Sequence, residues 1–258
     1  MKNCAVFTIV KNEKLFLPIW IKHYKNFFDN SDIYILDHES NDGSTKNLDI
    51  DINIIPIYNE FTFDHNWLLT TVQNFQIELL KKYKSVLFAE GDELIYTIDR
   101  PLNEIIDLFI NDESVNYQTC TGYEIIQNLE NEKSLSEDDD IIKNRNYWYY
   151  SPQYYCKTLL SKIPLNWCYG FHTIVPNETN YKYNLFLCHL HKYDFEQMLI
   201  RHQERVLKWK YHSDVTEKGL SWHNFISEKD KVLELFNNTN GNPIVEIPDN
   251  HKLVLNHI

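Results

Sequence analysis

Four short apolar runs, each closed by a polar cluster, constrain this chain more than any other feature. Residues 5–10, 33–36, 52–58 and 86–89 have the length and the β-branched or fully apolar composition of buried strands. Between the first two, Leu15, Ile19, Trp20, Ile21 and Tyr24 recur near helical spacing, with Pro18 in the first turn. Residues 67–83 read as a long amphipathic helix. The order strand, helix, strand, strand, helix, strand predicts an α/β fold with a mostly parallel central sheet flanked by helices. Ligands of such sheets bind beyond the carboxyl ends of the strands. The clusters Lys11-Asn12-Glu13, 37–44 and 90–93 all stand at those ends, so three separated segments are expected to converge on one edge.

The second half is more varied. Residues 117–126 and 185–191 read as strands, and 195–211 as an amphipathic helix. A second helix is expected near 222–236, followed by an extended tail. The polar stretch 128–146 carries the acidic run Glu137-Asp138-Asp139-Asp140, read as a solvated loop. No linker rich in Pro, Gly or Ser divides the chain. With 258 residues and 43 % hydrophobic content a sizeable core is expected. A net charge of −12 argues against nucleic acid as a general partner, which needs a basic face. The five cysteines form no CxxC pair and read as buried free thiols in a reducing compartment. No apolar run is long enough for a membrane span, and the expected location is cytoplasmic.

The stretch VLFAEGDELIY poses the functional question. An apolar strand stops on Glu90-Gly91-Asp92-Glu93, three carboxylates that repel one another around a glycine. Such a group at a strand end suits a hard divalent cation, Mg²⁺ or Mn²⁺, that also holds substrate phosphates. Gly91 would let the backbone come close to a bulky ligand. The same four residues also suit a charged surface turn.

KNEKLFLPIWIKHYKNFF, IYILDHESNDGS and VLFAEGDELIY together resemble the opening half of family-2-like glycosyltransferases of the GT-A fold. The second block resembles a strand ending in aspartate before Ser-x-Asp-Gly-Ser/Thr, and the third stands in the place of the DxD motif. TGYEIIQN, KTLLSKIPLNWCYGFHTI and LCHLHKYDFEQMLIRHQER resemble later segments of the same group, so the likeness spans roughly residues 3 to 210 in ordered blocks. It implies one GT-A domain over 1–258. Residues 1–110 would bind a nucleotide-sugar, 111–200 would face the acceptor, and 201–258 would form C-terminal helices and a tail. The implied reaction is metal-dependent transfer of a sugar from a nucleotide diphosphate donor, a UDP-sugar favoured, to a glycan or other hydroxyl acceptor, with inversion.

Carried over residue by residue, the resemblance places Asn12 and Glu13 near the nucleotide and Asp37 on the base or ribose. Glu90 would meet the ribose or the metal shell, Asp92 the metal, and Glu93 would orient the loop. Glu at position 90, where the family carries Asp, departs from the pattern. His189 falls where the group carries a histidine before its last helix. It and His191 share a face of the predicted strand, so His189 is the first expected imidazole ligand and His191 the second. Lys157 is expected to help the leaving diphosphate, Lys11 to touch a phosphate, and His172 to face sugar or acceptor. Glu124 in TGYE is the first choice for the proton-accepting carboxylate and Asp194 the second. Trp148, Trp167 and nearby tyrosines are read either as sugar-stacking rings or as core. His23, His202 and His223 are read as structural. Two other readings compete: a sugar nucleotidyltransferase, which should carry a glycine-rich phosphate loop that FTIVKNEK lacks, and a non-catalytic binding relative.

Overall fold

A computed structural model describes residues 1–46, 48–136, 139–217 and 221–256. Of the acidic run, Glu137 and Asp138 lie outside the described residues. The first half runs β1 (Lys2–Val10), α1 (Phe16–Tyr24), β2 (Ile33–Asp37), β3 (Asn53–Pro56), α2 (His65–Leu80), β4 (Tyr83–Phe88), β5 (Glu93–Tyr96) and α3 (Leu102–Asn111). The second runs β6 (Tyr117–Ile126), α4 (Ile141–Asn144), β7 (Tyr147–Tyr150), β8 (Thr158–Ser161) and β9 (Leu185–Lys192). It closes with α5 (Phe195–Lys208), α6 (Ser213–Glu217), α7 (Lys229–Asn237), β10 (Val245–Glu246) and α8 (Asp249–Leu255).

Strands β3, β2, β1 and β4 lie side by side and parallel, as the first ninety residues predict. Beyond β4 the sheet turns mixed. β8 is antiparallel to both β4 and β6, and β7 is antiparallel to β6 and β10. β9 then joins β6 in parallel and carries β5 antiparallel on its other side. The expectation of a mostly parallel sheet is therefore corrected to a mixed one. The physical reason lies in the connections. Only four residues join β4 to β5, far too few for a parallel crossover, so the chain leaves the parallel strands there and β5 pairs antiparallel with β9 instead.

β1 is buried along nearly its whole length because helices cover both faces of a parallel sheet. Phe7 packs against Phe88 and Phe75 with ring centres 4.9 and 5.4 Å apart, at the heart of the largest apolar cluster. Pro18 sits in the first turn of α1, where its missing N–H leaves no bond unmade. Asp64 caps α2 by accepting the Trp67 N–H at 2.9 Å. Asp194 caps α5 by accepting the Gln197 N–H at 3.0 Å. The tail expected to be extended folds back instead. Leu255 is buried with Leu94 and Leu190, and the Tyr96 hydroxyl meets His251 Nδ1 at 2.8 Å.

Trp148 and Trp167 are core residues. Trp148 stacks on Tyr123 with centres 4.1 Å apart, and Trp167 Nε1 donates to the Thr158 carbonyl, so neither offers a face to a sugar. His23 is buried with Nε2 2.7 Å from the Ile95 carbonyl, and His202 Nδ1 lies 3.0 Å from the Ile226 carbonyl. All five cysteines are unpaired, but Cys156 and Cys168 are only half-buried. Among the described residues no helix is long and apolar enough to cross a membrane.

Candidate active site

Because β1, β2 and β4 are parallel, their carboxyl ends do meet on one edge. The Ala89 N–H still donates to the Phe7 carbonyl, and the chain then turns through 90–92 before β5. The Leu190 N–H donates to the Asp92 carbonyl at 3.0 Å, fastening that turn to β9. A cavity of about 180 Å³ opens here, lined by Lys11, Glu13, Glu90, Gly91 and Asp92 on one side. Arg201 and Arg205 of α5 and Trp67 of α2 line it from the other.

The acids of the turn have different partners. Lys157, fully buried, lies 2.5 Å from Glu90 Oε2 and 2.7 Å from Glu93 Oε1. Burial opposes its charge, but the two carboxylates hold the ammonium above its ordinary value. Burial raises Glu90, with Lys157 pulling the other way. Glu90, expected as a metal or ribose contact, is thus occupied by a lysine, and Lys157, expected on the leaving group, is spent on the turn itself.

Asp92 is left to face His189. Its Oδ2 lies 3.6 Å from His189 Nε2, too far for a hydrogen bond. On the other side of the ring, Nδ1 lies 2.7 Å from Glu124 Oε2. The parallel register sets Glu124 of β6 beside His189 of β9. Burial works against a charged His189, yet Glu124 and Asp92 raise it to about 9. Burial likewise opposes the Asp92 charge, but His189, Arg201 and Lys157 hold that carboxyl below the usual range. Two donors about 2.1 Å from one ion stand roughly 3–3.5 Å apart, so the gap between Nε2 and Oδ2 is close to a metal's span. An imidazole whose second nitrogen is bonded to a carboxylate is the usual arrangement behind a metal-ligating histidine. The residues fit a divalent cation between Asp92 and His189.

This placement changes the expected role of Glu124. It is fully buried, and its Oε1 accepts the Lys192 N–H at 3.0 Å while Oε2 is held by His189. It orients the histidine rather than meeting an acceptor hydroxyl. Asp194 is also fully buried; besides capping α5 it accepts from the Leu135 N–H and from Arg145 Nη2 at 2.8 Å. Its work is structural.

The other expected residues divide in the same way. Lys11 lines the cavity while its Nζ donates to the His38 carbonyl at 2.9 Å. Glu13 lines it too, its carboxyl raised by burial against the pull of Arg201. Asn12 adopts a left-handed φ of 57° and accepts the Asn41 N–H, tying the turn after β1 to the loop after β2. Asp37 accepts the Ser40 N–H and the Thr45 hydroxyl, so it braces that same loop. His191 has its ring 6.0 Å from that of His189, and burial together with Arg205 and Arg201 keeps it neutral. His172 is held by the Tyr154 carbonyl at 2.6 Å, and burial lowers it to about 4. Gly91 has no steric compulsion: a Cβ there would meet Val10 and Glu13 at 3.5 and 3.7 Å, ordinary contact distances.

Sequence reasoning missed three features. A Cβ on Gly122 would lie 2.1 Å from the Tyr155 carbonyl oxygen, and Tyr155 stacks on His189 with centres 4.0 Å apart. The glycine of TGYE therefore admits the ring that covers the histidine. Arg201 and Arg205 are the second feature, and their i, i+4 spacing on a helix was a readable signal. The Arg201 guanidinium lies over Phe16, with Nη2 3.7 Å from Glu13 and Nη1 buried without a hydrogen bond. Burial and the Arg201 charge lower Arg205 to about 10. Two half-buried like charges on adjacent turns favour an anion between them and solvent. The third is the His38–Trp67 ring pair, centres 4.6 Å apart, at the same cavity.

No family model matches the chain, and no curated protein matches it. Solved structures resemble it weakly. A197 from STIV is 13 % identical with a TM-score of 0.28 over 62 % of this chain and 64 % of that one. UDP-glucose pyrophosphorylase complexed with UDP-glucose is 12 % identical, TM-score 0.30, over 73 % and 75 %. Mannose-1-phosphate geranyltransferase from Thermus thermophilus is 10 % identical, TM-score 0.34, over 91 % and 68 %. The chain thus spans just under two thirds of the length of A197. Likeness at these scores carries no argument about activity.

Proposed function

We propose that the cavity at the sheet edge binds the diphosphate of a nucleotide-sugar and that the chain is a glycosyltransferase of GT-A type. The single observation that carries this reading is the Asp92–His189 pair, backed by Glu124, with Asp92 lining one cavity together with Arg201 and Arg205. In this reading 1–258 is one catalytic domain, with UDP-sugar the favoured donor and a glycan hydroxyl the acceptor. Of the two expected ions, Mn²⁺ rather than the oxygen-selective Mg²⁺ suits Asp92 and His189, and held there it would supply Lewis-acid neutralisation of the departing diphosphate. Arg201 and Arg205 bind phosphate oxygens, the geometry in which a guanidinium is strongest. Trp67 and His38 offer ring faces to the nucleobase. Lys157 keeps the 90–93 turn in shape, so that Asp92 alone of its acids points its charge at the ligand. Inverting transfer in the cytoplasm completes the proposal.

A non-catalytic binding role is the second reading, favoured by the engagement of Glu90 with Lys157, which leaves one acid of the turn for a ligand. Calorimetric titration of UDP, GDP and dTDP, each with and without Mn²⁺, tests the donor site. Metal-dependent binding that disappears in Asp92→Ala supports it, and binding of none of the three sinks it. Product formation from a bound donor then separates transfer from binding.

A further inference from the structure

A second group of donors meets at Asp64, which lines the same cavity. Asp64 stands at the start of α2, and His212 and Asp214 belong to the segment that crosses it. The Thr62 N–H donates to the Lys210 carbonyl at 2.7 Å, and the His212 N–H donates to the Phe63 carbonyl at 3.0 Å. One ligand atom each from Asp64, His212 and Asp214 lies within 4.8 Å of the other two. Such a cluster means little by proximity alone. Asp214 gives it meaning.

The Asp214 side chain is only 5 % exposed. Its Oδ2 accepts from the backbone and side-chain amides of Asn66, at 3.2 and 3.0 Å. Its Oδ1 is buried and accepts no hydrogen bond. His212 Nδ1 stands 3.1 Å from that oxygen. The same nitrogen accepts the Asp214 N–H at 3.2 Å, so it presents a lone pair rather than a hydrogen. The buried Asp214 Oδ1, with no donor, costs free energy unless a cation reaches it, and His212 Nδ1 would join that cation by exchanging its bond from the Asp214 N–H for the metal. Asp64 accepts from the Trp67 N–H and from Asn59 Nδ2, which leaves a carboxylate with about four lone-pair sites room for one more partner.

We propose that Asp64, His212 and Asp214 hold a divalent transition-metal ion, with Zn²⁺ the best match. One imidazole and two carboxylates make a mixed nitrogen–oxygen set of three protein ligands, which suits Zn²⁺, whereas Mg²⁺ and Ca²⁺ favour oxygen alone. The ion clasps the segment after α5 to the start of α2. Asp64 also lines the cavity, so the clasp sets the shape of its mouth. This site is separate from Asp92 and His189 and does not depend on the function proposed for them.

The test is Zn²⁺ binding by the full chain after chelator treatment, read by competition with a chromophoric indicator. It is done in an Asp92→Asn background so that the first site is silent. The expected result is one Zn²⁺ per chain, with affinity lowered more than about tenfold by His212→Ala and by Asp64→Asn. Asn is as good a helix cap as Asp, so Asp64→Asn keeps α2 intact and gives the answer if His212→Ala fails to fold. Co²⁺ in place of Zn²⁺ should give visible absorption bands that both substitutions abolish. A background chain that binds no Zn²⁺ overturns the proposal. So does Zn²⁺ affinity unchanged by Asp64→Asn.

Discussion

Glu90 and Glu93 on one side of a four-residue turn, and Asp92 on the other, carry the same charge and meet opposite fates. The first two close on Lys157, a cation supplied by the chain itself, and the ion group is complete. Asp92 meets a histidine at 3.6 Å, a distance that completes nothing. Behind the histidine Glu124 is fully engaged, while Arg201 and Arg205 line the same cavity as Asp92. The contrast separates acids that build the site from the acid that serves it. A run of carboxylates in a sequence does not distinguish the two; the partner does, and here the partner comes from 67 residues further along the chain.

The comparison breaks most visibly at Lys157. Lys157→Met leaves two carboxylates at a buried site without a counter-charge and should cost about 3–5 kcal/mol of stability, measured by urea unfolding. If that substitution is nearly neutral, the closed ion group is not structural and the division fails.

Histidines sharpen the same contrast through pH. Burial lowers His23 to about 4, and its group stays neutral in the fold. Between pH 6.5 and 4 the unfolded chain therefore binds more protons than the folded one. Stability is fully present above pH 6.5 and is lost as pH falls toward 4, by up to about 3 kcal/mol for this residue. Thermal melting across that window should show the acid limb, and His23→Gln, which keeps a donor for the Ile95 carbonyl, should flatten it. An unchanged limb in the variant would show that His23 is not its source.

The two site glycines give smaller and opposite effects. Gly122→Ala drives a methyl into the Tyr155 carbonyl and should cost about 1–3 kcal/mol, with the ring over His189 displaced. Gly91→Ala meets only ordinary contacts and should change stability by less than about 0.5 kcal/mol. Equal melting temperatures for the two variants would contradict the steric account.

Periodicity made much of the scaffold legible. β1, β2, β4 and β9 are largely apolar runs of strand length, and α1, α2 and α5 are amphipathic, so their element type followed from composition. β5, β7 and β8 are four-residue strands whose pairing is settled by distant partners, and no local pattern marks them. α8 was missed because its anchors, Leu255 and His251, dock on residues far away in sequence. In the site, the acidic turn and His189 were readable. The roles of Glu124 and Lys157 were not, because each depends on which strands become neighbours. Arg201 and Arg205 are legible in the sequence as two arginines one helical turn apart, but that they line the cavity depends on where α5 docks.

The central claim is the asymmetry of the turn, and nucleotide titration of two near-isosteric variants tests it directly. In the presence of Mn²⁺, Glu90→Gln should bind UDP within a factor of about three of the wild type, roughly 0.7 kcal/mol. Asp92→Asn should lose the metal-dependent part of that binding altogether. Metal-dependent binding retained in Asp92→Asn and lost in Glu90→Gln would contradict the account and move the ligand to the other side of the turn.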